Sequence, residues 1–221
     1  KLAAMTASLD RSIGQVLDTL EVMGLTDDTL IMFVNDNGGA TNNASDNGPY
    51  RGMKGSKWEG GLRVPFIVAW PGHLPSGSRY TNPVSTLDIL PTAVAAAGGT
   101  PGEAIDGVNL LPYLSGDEPG VPHERLYWRR SVAAAVREGD WKLIRVDGGE
   151  TLLFNLREDP SETVDRSEQD PEKVAALDAA ISDWETGLVE PRWSHGKRYR
   201  ENQLNKHNMD VIGRDQERQY P

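Results

Sequence analysis

The chain has 221 residues, 38% hydrophobic and 25% charged, which is enough to bury one substantial core and argues against wholesale disorder. A formal charge of −10 disfavours general attraction to nucleic acid or to an anionic membrane surface, so an anionic substrate would need a local basic pocket. Cysteine is absent, which removes disulfides, thiolate metal sites and cysteine nucleophiles.

From Leu2 to Met23, apolar residues at Leu2, Met5, Leu9, Ile13, Val16, Leu17 and Leu20 recur at three- and four-residue steps, the spacing of an amphipathic helix. The chain opens in this helix and without methionine, so an upstream portion is expected to precede it. Gly24 is placed to end the helix, and Thr29 to Val34 is an unbroken β-favouring run, the pattern of a strand buried on both faces. A helix feeding such a strand predicts an α/β sheet.

The strand runs into Asn35-Asp36-Asn37-Gly38-Gly39, and a Gly-, Asn- and Ser-rich stretch follows until Val64 to Trp70 resumes an apolar strand. Ligands of open α/β sheets gather at the carboxyl ends of strands, which directs attention to this loop. Leu87 to Ala97 reads as a second helix, capped by Ser85 or Thr86 and bent at Pro91. Segments 126–130, 132–137, 141–146 and 152–156 are short strands separated by turn signals, which predicts a small antiparallel sheet.

Pro171, followed by Val174, Leu177, Ile181 and Trp184, predicts an amphipathic helix to about Gly187 packed on that sheet. From Pro191 to Pro221 the chain is polar and mixed in charge, with Trp193, Tyr199 and Met209 as anchors, and reads as an extended arm. No apolar run approaches the roughly 18 to 20 residues of a membrane span.

Asp36 offers a carboxylate and Asn37 an amide oxygen, two hard ligands that suit calcium or magnesium. Asp-Asn-Gly-Gly taken alone reads more readily as a turn than as a metal edge. The second element is Arg51-Gly52-Met53-Lys54-Gly55-Ser56-Lys57-Trp58-Glu59-Gly60-Gly61-Leu62-Arg63-Val64-Pro65. Its cationic side chains, Arg51 and Lys54 among them, could face an oxyanion, with Lys54 donating a charged hydrogen bond.

The order of strand, Asp-Asn-Gly-Gly, Gly/Asn-rich loop, Lys-Gly-x-x-x-Glu-Gly-Gly-x-Arg-x-Pro, apolar strand and Trp-Pro-Gly resembles the sulfatase family of the alkaline-phosphatase superfamily. Thr86-Leu87-Asp88-Ile89-Leu90-Pro91-Thr92 resembles the following sulfatase helix. Leu153-Phe154-Asn155-Leu156 through Asp159-Pro160-Ser161-Glu162 is similar to the family's late Tyr-Asp-Leu…Asp-Pro-x-Glu segment.

The resemblance implies part of an alkaline-phosphatase-like α/β sandwich in residues 1–115. A C-terminal α+β subdomain would follow in 116–190, with an antiparallel sheet and a packed helix, and an extended tail in 191–221. It implies that Asp36 and Asn37 bind a divalent cation, calcium before magnesium, and that Lys54 contacts a sulfate oxygen, with Arg51 as a further substrate-binding candidate. Glu59 and Arg63 are expected to hold the loop, and Trp58 and Trp70 to be core.

The family's nucleophile is a formylglycine made from Cys or Ser in Cys/Ser-x-Pro-x-Arg, a motif these 221 residues do not contain; it is expected upstream, together with the remaining metal ligands. This chain alone is therefore expected to be inactive. The implied activity is hydrolysis of a sulfate ester on a carbohydrate or aryl group, in a periplasmic or extracellular protein.

His73 and His123 read as structural, and His195 and His207 as solvated unless they border the substrate. Lys197-Arg198-Tyr199-Arg200 reads as a solvated face or as a contact for a sulfated glycan. A phosphatase or phosphonate hydrolase of the same superfamily is the alternative enzyme, disfavoured because such enzymes carry Asp-His-Gly where Asp36-Asn37-Gly38 stands here. A non-catalytic anion-binding homologue is the alternative of another class.

Overall fold

The computed structural model describes residues 1–102, 104–148, 151–193 and 196–207. In chain order its elements are α1 (Leu2–Val22), β1 (Ile31–Val34), α2 (Glu59–Leu62), β2 (Phe66–Ala69), α3 (Ile89–Ala96), α4 (Leu111–Ser115), β3 (Arg125–Arg130), β4 (Ala133–Glu138), β5 (Trp141–Val146), β6 (Thr151–Asn155), α5 (Pro171–Thr186) and α6 (Lys197–Asn205). They form two compact units, one of residues 1–35 and 65–124, the other of 36–64 and 125 onward.

In the first unit β1 pairs antiparallel with β2, from Ile31 opposite Ala69 to Val34 opposite Phe66. The apolar run 29–34 predicts a strand buried on both faces, yet β1 is only half-buried, because a two-stranded ribbon leaves much of each face uncovered. The stripe of α1 forms its helix as expected, but Leu2, Met5, Leu9, Val16 and Leu17 stay exposed and none of its residues is buried.

Before α3, Ser85 makes a capping box with Asp88: its side chain accepts the Leu87 N–H at 3.2 Å, while the Asp88 carboxylate accepts the Ser85 N–H at 2.7 Å. Pro91 was expected to bend this helix. It falls in the first turn of α3 instead, where backbone N–H groups have no intrahelical acceptor, so no hydrogen bond is forfeited. Asp88 is fully buried and also accepts the Val108 N–H at 2.9 Å, with His123 Nε2 2.8 Å away, which gives His123 a structural role. His73 stacks on Trp70, ring centroids 4.0 Å apart, and the Trp70 indole donates to the Asp27 carbonyl at 2.9 Å.

In the second unit β3-β4-β5-β6 form an antiparallel meander, as the spacing of short strands predicts. Strand alternation sends Ala134, Val136, Leu143 and Leu153 to one face, where Leu177 and Ile181 of α5 pack. Ala135, Ile144, Leu152 and Phe154 turn to the other face and meet Met53 and Trp58 of the motif loop. Trp58 is fully buried, edge-on to Phe154 with centroids 5.5 Å apart. The loop 36–64 is thereby mounted on the C-terminal sheet.

The segment after Pro191 departs from the extended arm expected. Residues 197–205 form α6, since Lys-Arg-Tyr-Arg-Glu-Asn-Gln-Leu-Asn is rich in helix formers and its Gln203, with His207 just beyond, is buried. His195 and Met209 lie outside the described residues.

Candidate functional site

The Asp36-Asn37 turn and the Arg51–Gly61 loop are stitched together by backbone. The Gly38 N–H donates to the Gly61 carbonyl at 3.2 Å and the Lys54 N–H to the Gly39 carbonyl at 3.0 Å. Asn47 clamps both: its Oδ1 accepts the Gly39 N–H at 2.7 Å, and its amide nitrogen donates to the Gly39 and Gly52 carbonyls at 3.0 and 3.1 Å. A Cβ on Gly38 would lie 1.7 Å from the Gly60 carbonyl oxygen, and one on Gly60 would lie 2.6 Å from that of Arg51. Both glycines of the motifs are thus required by close approach of one backbone to another.

Asp36 is exposed, and no hydrogen bond or ion pair engages its carboxylate among the described residues. The Asn37 amide nitrogen donates to the Gly38 carbonyl at 2.8 Å, which leaves the amide oxygen as the free end. Two uncommitted hard oxygens fit a calcium-like cation. They make only part of its shell, which takes about six to eight oxygens. Among the described residues no group of three or more His, Asp or Glu side chains gathers to complete it.

Lys54 is exposed, and its ammonium has no acidic partner among the described residues. Arg51 is committed differently: its guanidinium lies 4.0 Å over the Trp58 ring and donates to the Glu162 carbonyl at 3.0 Å. Burial lowers its pKa, against the raising influence of Glu162 and Asp159.

Beneath the loop sits a buried ionic cluster. Lys142 Nζ lies 2.8 Å from Glu59 Oε1 and 2.8 Å from Glu162 Oε1, the Arg137 guanidinium is 3.8 Å from Glu59 Oε2, and the Glu59 N–H donates to Glu162 Oε2 at 2.6 Å. Lys142 and Glu162 are fully buried. Burial is the largest influence on Glu59 and would raise its pKa, but Lys142, Arg137 and Arg63 together outweigh it and hold it below the ordinary value. For Glu162 burial prevails over Lys142 and pushes the pKa up.

The expected loop-holding role of Glu59 is thus given its partners. Lys142 could have been suspected from alternation, because it shares a strand face with inward Ile144; Glu162 sits in the Asp-Pro-x-Glu segment, held at φ 56°.

His207 was expected to be solvated and is instead 4% exposed. Its Nε2 accepts the Lys57 N–H at 3.0 Å and its Nδ1 lies 2.7 Å from the Gln203 carbonyl, the pattern of a neutral ring. Burial, joined by repulsion from Lys57 and Lys206, brings its pKa down to about 4. Sequence periodicity carries no signal for such a contact, which spans 150 residues.

The chain matches two family models, "Sulfatase" over residues 2–99 and "N-sulphoglucosamine sulphohydrolase, C-terminal" over residues 53–184. It is 39% identical to human steryl-sulfatase over 129 residues, covering 54% of this chain and 22% of that protein. Human arylsulfatase H is 30% identical over 226 residues, covering 83% and 40%. The crystal structure of Ps i-CgsB in complex with k-i-k-neocarrahexaose superimposes with a TM-score of 0.80 at 32% identity, covering 99% of this chain and 49% of that one. The chain therefore spans less than half the length of each of these relatives. The Asp-Asn-Gly-Gly turn, the Lys-Gly-x-x-x-Glu-Gly-Gly loop and the fold lead to one conclusion: this chain belongs to the sulfatase family.

Proposed function

We propose that this chain supplies the cation edge and the sulfate-facing lysine of a sulfuric ester hydrolase. The observation that carries this reading is the stitching of Gly38-Gly39 to Lys54 and Gly61, which ties the turn bearing Asp36-Asn37 and the Lys54 segment into one backbone framework. Asp36 and Asn37 would hold the cation, calcium by preference, which when bound withdraws charge from sulfuryl oxygens and orients the ester. Lys54, exposed and without an acidic partner among the described residues, is available to donate a charged hydrogen bond to a sulfate oxygen as the S–O bond to the leaving alcohol breaks. Glu59, Lys142 and Glu162 keep the loop in place from below.

The nucleophile is not among these 221 residues, since they contain no Cys/Ser-x-Pro-x-Arg. A sulfated carbohydrate is the substrate class we favour, supported by the neighbour solved with a neocarrahexaose; relatives called arylsulfatases support an aryl ester as a test substrate. The full-length protein assayed on an aryl sulfate beside the matching aryl phosphate should prefer the sulfate. A preference for phosphate would defeat this reading.

A further inference from the structure

Besides Lys54, the charged ends of two cations converge near Gly55. A Cβ there would lie 3.0 Å from Lys206 Nζ and 3.2 Å from Arg130 Nη1, so both charged ends approach the same stretch of backbone. Their anchors are neutral. Lys206 Nζ donates to the Lys54 carbonyl at 3.0 Å, while Arg130 donates through Nε and Nη2 to the Tyr199 hydroxyl at 3.0 and 2.9 Å.

A further cation, Lys57, is only 4% exposed and close enough to Arg130 to be repelled by it. Among the described residues no carboxylate pairs with Lys54, Lys57, Arg130 or Lys206, whereas the neighbouring buried Lys142 has two. Burial, with repulsion from Arg130 and Lys142, brings the Lys57 pKa down to about 8, and Lys206 is lowered by burial together with Arg130 and Lys54. In a chain of net charge −10, positive groups positioned together and without acid among the described residues form a local basic cluster that favours an anion.

We infer that Arg130 and Lys206, grouped at Gly55 beside Lys54 and supported by the charge of Lys57, form a second oxyanion position that takes a non-reacting sulfate of a polysulfated saccharide. Arg130 Nη1 and Lys206 Nζ are the donors turned to Gly55, and Lys57 adds charge from a nearly dry position, where its field is least screened. This assigns a role to the segment after Pro191. It delivers Lys206, and His207 secures it by accepting the Lys57 N–H at 3.0 Å. The inference rests on the sulfatase reading for its ligand but not for its test.

That test is equilibrium titration of the full-length protein with its calcium retained and its formylglycine precursor replaced by Ala, so that no turnover intervenes, with a trisulfated disaccharide and a monosulfated sugar. Arg130→Gln/Lys206→Gln should weaken the trisulfated ligand about tenfold or more, as expected for losing charged hydrogen bonds, and leave the monosulfated sugar within about twofold. Lys206→Gln alone should show the same selectivity in smaller measure, and Lys206→Arg should restore most of the affinity, which separates charge from folding. Equal affinity of wild type and double variant for the trisulfated ligand, or equal losses for both sugars, would overturn the inference. Failure to release sulfate from any ester would defeat the enzymatic reading and leave this titration standing.

Discussion

Lys142→Met removes an ammonium that is fully buried and 2.8 Å from each of two buried carboxylates. Taking one partner from a buried ion pair leaves uncompensated charge and costs about 3 to 5 kcal/mol. For a chain of this size that corresponds to roughly 6 to 20 °C in Tm. The cost should depend on pH with a definite sign. In wild type Glu59 sits below the ordinary value of 4.5, so its contribution is present above that pH and lost as pH falls through the folded pKa.

Without Lys142, burial and mutual repulsion raise both carboxylates. Each then destabilises as pH climbs from the unfolded pKa through its raised folded one. The difference between variant and wild type should be large at pH 7 and shrink toward pH 4. Urea unfolding at both pH values checks this. A loss under about 1 kcal/mol at pH 7, or a penalty that grows toward acid, would refute the reasoning.

Two further outcomes follow from the same geometry. Asp36→Asn should weaken calcium binding at least about tenfold, because it removes the charged member of the two-oxygen edge; an unchanged calcium titration of the full-length protein would remove the metal assignment. His207, neutral with a pKa lowered from 6.5 to about 4, contributes stability that is present above pH 6.5 and lost as pH falls through 4, roughly 2 kcal/mol of it by pH 5. Hydrogen exchange of α6 amides, corrected for intrinsic rate, should therefore quicken between pH 7 and pH 5 in wild type and hardly respond in His207→Gln.

Elements with strong local patterns were legible in the sequence: α1 from its apolar steps, the four-stranded meander from short runs divided by turns, and α5 from Pro171 with Leu177 and Ile181. The glycines at 38, 60 and 61 were legible as motif members, but not for their reason, since backbone clashes between Gly38 and Gly60 depend on tertiary approach. The Glu59-Lys142-Glu162 cluster joins residues up to 103 positions apart, and no periodicity reports such a pairing. Burial of His207 escaped for the same cause: a polar segment read as an extended arm looks solvated until its docking surface is known. What strand alternation could have offered was Lys142 at an inward position, where a charge implies a buried partner.

Lys54, held by the loop that is tied to Asp36-Asn37, is proposed to donate to the sulfate being transferred. Lys54→Ala in the full-length protein tests it most directly, measured as kcat/KM on an aryl sulfate, with a melting curve to confirm the fold. The expected result is a fall of about 100-fold or more with the melting temperature nearly unchanged, since the side chain is exposed and has no acidic partner among the described residues. A kcat/KM close to wild type would contradict it and remove Lys54 from the site.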